Sequence, residues 1–209
     1  DFWIVKVDEI GIIQWQNTIG GSSRDQLNSI IQTTDGGYLL GGTSRSNISG
    51  DKTENSIGGI SRDDYWIVKI SSFGTIQWQN TIGGNDTDDL VSMIQTGDGG
   101  YLLAGYSISN ISGDKTENSN GSWDYWIVKT DSLGIIQWQK TIGGSNSDRL
   151  RSIHQTTDGG YILGGYSRSE ISGDKSENSK MGSEDYWIVK VDSLGGVQWD
   201  NTIGGKKED

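Results

Sequence analysis

Asp64–Ile82 reads DYWIVKISSFGTIQWQNTI, and this stretch decides the fold. Its opening block DYWIVK recurs at Asp124–Lys129 and Asp185–Lys190, with a near copy, DFWIVK, at Asp1–Lys6. The leading tryptophans are Trp3, Trp66, Trp126 and Trp187, spaced 63, 60 and 61 residues apart. A period of about 60 is long for a helical solenoid and suits a four-stranded propeller blade with one long loop. Within the stretch, strict alternation puts Trp66 and Val68 on one face and Ile67 and Lys69 on the other. The turn Ser71-Ser72-Phe73-Gly74 ends in glycine, as a type I turn with a bulge does. The following run, 76–82, predicts Ile76, Trp78, Asn80 and Ile82 on one face.

Outward from there, two more strands precede the block. Leu27–Gln32 (LNSIIQ) is a short β-rich run, and Tyr38–Gly42 (YLLGG) follows it. Between them, Asp35-Gly36-Gly37 supplies a turn in which glycine takes positive φ. Four hairpin-connected strands in about 60 residues match one blade of a β-propeller. The expectation is an all-β chain with three complete blades, 25–84, 88–144 and 148–205. Residues 1–20 form a half blade holding only the last two strands. Since both ends repeat the same half, the chain reads as one continuous repeat domain and part of a larger propeller. A β-solenoid is the competing architecture, but it has shorter coils and fewer tight hairpins. The small pairs Gly41-Gly42, Ala104-Gly105 and Gly164-Gly165 suit an inner strand, where backbones crowd near the axis.

Composition agrees with many short strands and tight turns: 209 residues, 32 Gly, no Pro and only 32% hydrophobic residues. Nine Trp and eight Tyr supply the large apolar surfaces. Zero Cys excludes disulfides and any cysteine-based metal site or nucleophile. A net charge of −11 argues against nucleic acid, whose phosphates need a basic patch. No apolar run approaches a membrane span.

The string DYWIVKxDSxGxIQWQxTIGG, with SGDKTENS before it and DGGYxLGGYS after it, resembles the repeats of secreted Bacteroidetes proteins. Those proteins often carry a C-terminal type IX secretion sorting domain. The resemblance spans residues 1–205 and implies a propeller-like module that is secreted or displayed at the cell surface. The IQWQ strand is also similar to the tryptophan-docking strand of quinoprotein propellers, without their quinone or metal constellations. The resemblance fixes no ligand.

Three features can carry chemistry. The first is an acidic loop repeated in each copy: SGDKTENS at 49–56, SGDKTENS at 112–119 and SGDKSENS at 172–179. Asp51, Glu54 and Asn55, Asp114, Glu117 and Asn118, and Asp174, Glu177 and Asn178 offer the oxygen ligands that calcium prefers. The spacing is not that of an EF-hand, and Lys52, Lys115 and Lys175 oppose a cation. A polar turn in which Asp and Asn bond their own backbone is the competing reading.

The second feature is aromatic. Trp3, Trp15, Trp66, Trp78, Trp126, Trp138, Trp187 and Trp199 recur at strand positions and read as structural core between blades. Trp123 breaks the pattern, since Arg62 or Asp63 and Glu184 stand at that loop end in the other copies. Tyr106 and Tyr166 stand where the first copy has Thr43. These three are the ligand-binding candidates, because an exposed ring stacks on a glycan or a partner. The third feature is His154, which replaces Ile31 and Ile94 and reads as drift at a partly buried site. Arg151 beside it replaces Asn28 and Val91.

Hydrolase, P-loop and zincin signatures do not occur. Paired carboxylates recur in every copy, whereas a glycosidase needs one unique pair. The sequence therefore predicts a non-enzymatic propeller module for adhesion or ligand binding. The expected partner is a glycan or a cell-surface protein, with calcium the one cofactor in view. A purely structural spacer, or part of a larger propeller hydrolase, are the alternatives.

Overall fold

The structure is a computed structural model and describes residues 1–180 and 184–205. Fourteen strands and no helix occupy these residues, so no helix is long and apolar enough to cross a membrane. β1 (Phe2–Val7) and β2 (Ile13–Ile19) form a two-stranded sheet. β3 (Asp25–Gln32), β4 (Tyr38–Ser44), β5 (Asp64–Ile70) and β6 (Ile76–Ile82) form the first four-stranded sheet, in that spatial order. β7 (Asp88–Gln95), β8 (Tyr101–Ser107), β9 (Asp124–Thr130) and β10 (Ile136–Ile142) repeat it. So do β11 (Asp148–Gln155), β12 (Tyr161–Ser167), β13 (Asp185–Val191) and β14 (Val197–Ile203). All pairings are antiparallel. These are propeller-like blades: three whole ones preceded by a half sheet.

The core lies between blades. Tyr65, Ile67 and Leu39 on one face of the first blade meet Leu90, Met93, Leu103 and Trp126 of the second. Tyr125 and Ile127 of the second blade meet Leu150, Leu163 and Trp187 of the third. Phe2, Ile4 and Ile19 of the half sheet meet Trp66, Val68 and Ile70 of the first blade. Each junction has the same ring pair: Phe2–Trp66 at 4.7 Å, Tyr65–Trp126 at 4.8 Å and Tyr125–Trp187 at 4.9 Å between centroids. The hydroxyls of Tyr65 and Tyr125 donate to the carbonyls of Trp126 and Trp187, 3.0 and 3.1 Å away. Burying such a ring is worth roughly 1.5–3 kcal/mol, so the WIVK block carries much of each junction.

Trp66, Trp126 and Trp187 are fully buried, and Trp15, Trp78 and Trp138 are half-buried beside Tyr38, Tyr101 and Tyr161. Trp3 and Trp199 correct the core assignment, at 67% and 46% exposed. They stand on the outward faces of the half sheet and the third blade, where no described residue packs. His154 likewise is exposed rather than partly buried, because Ile31 and Ile94 pack on a following blade and His154 faces outward.

Two local expectations also change. A bulge leaves Gln77 unpaired between Lys69↔Trp78 and Ile70↔Ile76. The extra residue flips the alternation, so Ile76 packs toward the half sheet while Ile82 packs toward the second blade. The glycine-rich strand is an inner strand of each sheet, but the crowding there does not come from an axis. The inter-blade contacts gather on the first strand of the following blade, β7 against β3 and β4 and β11 against β7 and β8, and β4 is second in its sheet. Its glycines answer a different crowding. A Cβ on Gly41 would lie 2.2 Å from the Met93 sulfur of the next blade, and one on Gly42 would run into the Gln26 carbonyl of β3.

Candidate functional site

The acidic loops have a buried cation of their own. Lys52, Lys115 and Lys175 are each about 1% exposed and sit over the rings of Trp66, Trp126 and Trp187 at 5.2, 5.7 and 5.6 Å. Their ammonium groups donate to the hydroxyls of Thr81, Thr141 and Thr202. Burial pulls Lys52 and Lys115 down to about 8.

The oxygens around them are spent on backbone donors. Glu54, Glu117 and Glu177 accept from the amides of Thr81, Thr141 and Thr202 at 2.5–2.7 Å. Asn55, Asn118 and Asn178 accept from the amides of Ile48, Ile111 and Ile171 at 2.9–3.0 Å. Asp51, Asp114 and Asp174 reach the amides of Gly20, Gly83 and Gly143 at 3.1–3.2 Å. The nine candidate metal ligands thus form a staple that ties the long loop to the last strand and to the preceding sheet. The lysine at its centre already supplies the positive charge those oxygens face. Among the described residues, no three His, Cys, Asp or Glu side chains are grouped to hold a metal.

A second candidate lies where the copies differ. Six repeat positions at one end of the blades differ between the copies. They are Arg24/Thr87/Ser147, Gln26/Asp89/Arg149, Asn28/Val91/Arg151, Thr43/Tyr106/Tyr166, Arg45/Ile108/Arg168 and Asp63/Trp123/Glu184. A cleft of about 580 Å3 is lined by residues from these six positions alone. The first blade supplies all six of its residues and the second supplies all but Ile108. The third supplies Arg151.

The fold explains the convergence. Inner strands begin, second strands end and third strands begin at the same end of each blade. Residues that do not vary lock that end in place. Buried Asp25 accepts from the Gly21 amide at 2.7 Å and from the hydroxyls of Ser44 and Ser46 at 2.5 and 3.2 Å. Asp88 and Asp148 hold Gly84 and Ser109, and Gly144 and Ser169, in the same way. The variable residues sit between these anchors. A bulge in each inner strand leaves Asn28, Val91 or Arg151 unpaired, which re-aims that side chain.

Inside the cleft, Arg45 grips the Asp63 carboxylate with two hydrogen bonds of 3.0 and 2.6 Å, and Arg24 lies 3.8 Å from the same carboxylate. Trp123 and Tyr106 meet edge to face at 5.2 Å. The guanidinium of Arg149 lies over both rings, at 5.1 and 5.5 Å. Arg151 lies over Tyr166 at 5.2 Å and donates to its hydroxyl at 3.1 Å. Burial, with Asp63 nearby, raises Asp89 to about 6 against the pull of Arg24, Arg149 and Arg45.

Of the three aromatic candidates, Trp123 and Tyr106 are thus brought together, half-buried, in the wall of one cleft. Tyr166 lines a second, apolar hollow of about 420 Å3 on the outward face of the third blade, with Tyr186, Ile188 and Ile203, and Arg151 borders both this hollow and the cleft. Arg24, Arg45, Asp63 and Asp89 escape a reading by motif. The signal that finds them is the difference between aligned copies, applied at every position rather than to aromatics alone.

No known protein family and no curated protein matches this chain. Its structure is similar to that of a protein of unknown function from Bacteroides caccae. The alignment covers 98% of this chain and 76% of that one, at 12% identity and a TM-score of 0.37.

Proposed function

We propose that this chain is a non-enzymatic binding module of the secreted or surface-displayed kind, with its ligand, a glycan, held in the cleft. One observation carries the reading: the repeated residues build the junctions, while differing residues from the strand ends of the first two blades meet on one concave surface. A spacer needs no such segregation. Rings flanked by amide, hydroxyl and charged groups are the surface a sugar requires, since its C–H face stacks and its hydroxyls hydrogen-bond. The glycan pocket is a single cleft between the first two blades.

A glycan array with the native protein and Trp123→Ala tests it. Binding to a defined set of glycans, reduced at least tenfold by the substitution with an unchanged melting profile, is expected. An array without signal at high protein concentration would overturn it.

One observation favours a second reading, hydrolysis. Asp63 and Asp89 are a carboxylate pair found at one junction only, and Asp89 is raised toward neutrality as a general acid is. Arg45 already clamps Asp63, which leaves that carboxylate poorly placed to act as a base or nucleophile. Turnover of an array-positive glycan, abolished by Asp89→Asn, would favour this reading over simple binding.

A further inference from the structure

The chain has six arginines, and all of them lie on the face where the copies differ. Arg24, Arg45 and Arg151 line the cleft, and Arg149 lies over its two rings. Arg168 holds the repeat position of Arg45 and pairs with Glu184, while Arg62 adjoins Asp63 and pairs with Asp86. None of the described lysines lines the cleft. Six of them serve structure instead. Lys52, Lys115 and Lys175 sit inside the loop staples, and Lys69, Lys129 and Lys190 pair with Asp35, Asp98 and Asp158 across hairpins. Arginine and lysine are therefore sorted by place, and the sorting follows their chemistry. A lysine is a point charge, while arginine's planar fork matches a carboxylate or sulfate with two parallel hydrogen bonds.

The charge balance of the cleft runs against that of the molecule. The chain carries −11 overall. Four guanidiniums gather here around two carboxylates, Asp63 and Asp89, and Asp89 is held toward its neutral form. The forks are not all used. Arg45 is spent on Asp63, but Arg24 gives the protein only its Asp63 ion pair and a bond to Gln26. Arg151 donates only to Tyr166. The buried Nε of Arg149 has no partner. Unspent donors beside two aromatic rings form a site for a ring that carries negative charge.

We propose that the ligand of this cleft is an anionic saccharide, its carboxylate or sulfate taken by Arg24 and Arg151 and its sugar face lying along Trp123 and Tyr106. The proposal rests on reading the cleft as a glycan site. It differs from that reading in requiring the charge.

Calorimetric titration separates the two. Trigalacturonate, its fully methyl-esterified form and a heparin-derived tetrasaccharide are titrated into the native protein and into Arg24→Gln, Arg151→Gln and Trp123→Ala. Both arginines reach solvent, so their replacement leaves the fold intact, and thermal melts check this. Trigalacturonate or the heparin tetrasaccharide binds at least about tenfold tighter than the methyl ester, and each Arg→Gln change costs about tenfold, the loss of one charge-assisted hydrogen bond. Preference between the two acidic probes identifies carboxylate or sulfate as the group held. Equal binding of acid and ester, lost in Trp123→Ala but unmoved in the arginine variants, would overturn the anionic ligand and leave the glycan reading standing. Binding of none of the three probes overturns the anionic ligand. The glycan reading then depends on the array.

Discussion

Gly41, Ala104 and Gly164 are one repeat position seen three times, and the structure assigns them different costs. At Gly41 an added Cβ meets the Met93 sulfur at 2.2 Å and Leu90 Cδ2 at 2.7 Å. At Gly164 it meets nothing within 4 Å, because that face of the third blade is open. At the middle copy, Ala104 is already present and fully buried, and the facing residue at the position of Met93 is Ile153. Gly41→Ala must push the thioether aside by more than 1 Å in a close-packed junction. Overpacking of this kind costs about 1–3 kcal/mol, and the flexibility of Met93 places it near the lower end. Gly164→Ala has no clash and stiffens the unfolded chain, so it gains about 0.4–1 kcal/mol. The two identical substitutions should therefore differ by about 2 kcal/mol, roughly 4–8 °C in melting temperature for a chain of this size. Adding Met93→Ile to Gly41→Ala recreates the Ala104–Ile153 junction and should recover most of the loss. Urea and thermal unfolding followed by tryptophan fluorescence measure all four proteins. Equal effects at Gly41 and Gly164, or no rescue by Met93→Ile, would refute the face-to-face register of the first two blades.

Three further outcomes follow from the same geometry. Tyr125→Phe removes the buried bond to the Trp187 carbonyl and should cost about 1–2 kcal/mol, whereas Tyr186→Phe, 55% exposed, should cost nothing measurable in urea unfolding. Stability should pass through a minimum near pH 7.5. Burial raises Asp64, Asp88 and Asp124 to about 6, 7 and 7, so the folded state holds their protons while the unfolded state has lost them, and stability falls as pH rises from about 4 to 7. Burial lowers Lys52 and Lys115 to about 8, so above that pH the unfolded state holds more protons and stability rises again toward about 10. Urea midpoints across this range that are flat, or highest at neutrality, would contradict the buried charges. Millimolar calcium added to chelator-treated protein should give no heat and shift the melt by less than about 1 °C. A shift of several degrees would show that the loop oxygens leave their backbone donors for a metal.

The repeat made the architecture legible. Period, hairpin turns and the alternation of WIVK were enough to place four strands per unit and to put Trp66, Trp126 and Trp187 in the core. What alternation could not show was the bulge at Gln77, because one inserted residue reverses the face of Ile76 without leaving a mark in composition. Glycine pairs were legible as crowding but not as to its source, since a Gly against a neighbouring side chain and a Gly near an axis look alike in sequence. The acidic loops carried the right ligand atoms for calcium. Only the structure shows that Lys52 occupies the centre and that Glu54, Asn55 and Asp51 are turned to amides. For the site, Trp123 and Tyr106 were legible as departures from the repeat. Arg45, Asp63 and Asp89 were equally visible departures, but their meaning depends on strand ends from two blades meeting at one cleft.

The most direct test of the whole account is a crystal of this chain soaked with trigalacturonate at millimolar concentration. The account predicts sugar density in the cleft between the first two blades, its carboxylate within hydrogen-bond distance of Arg24 or Arg151 and a ring against Trp123 or Tyr106. Density on the open face by Tyr166, Tyr186 and Ile203, or none in the cleft, would contradict it.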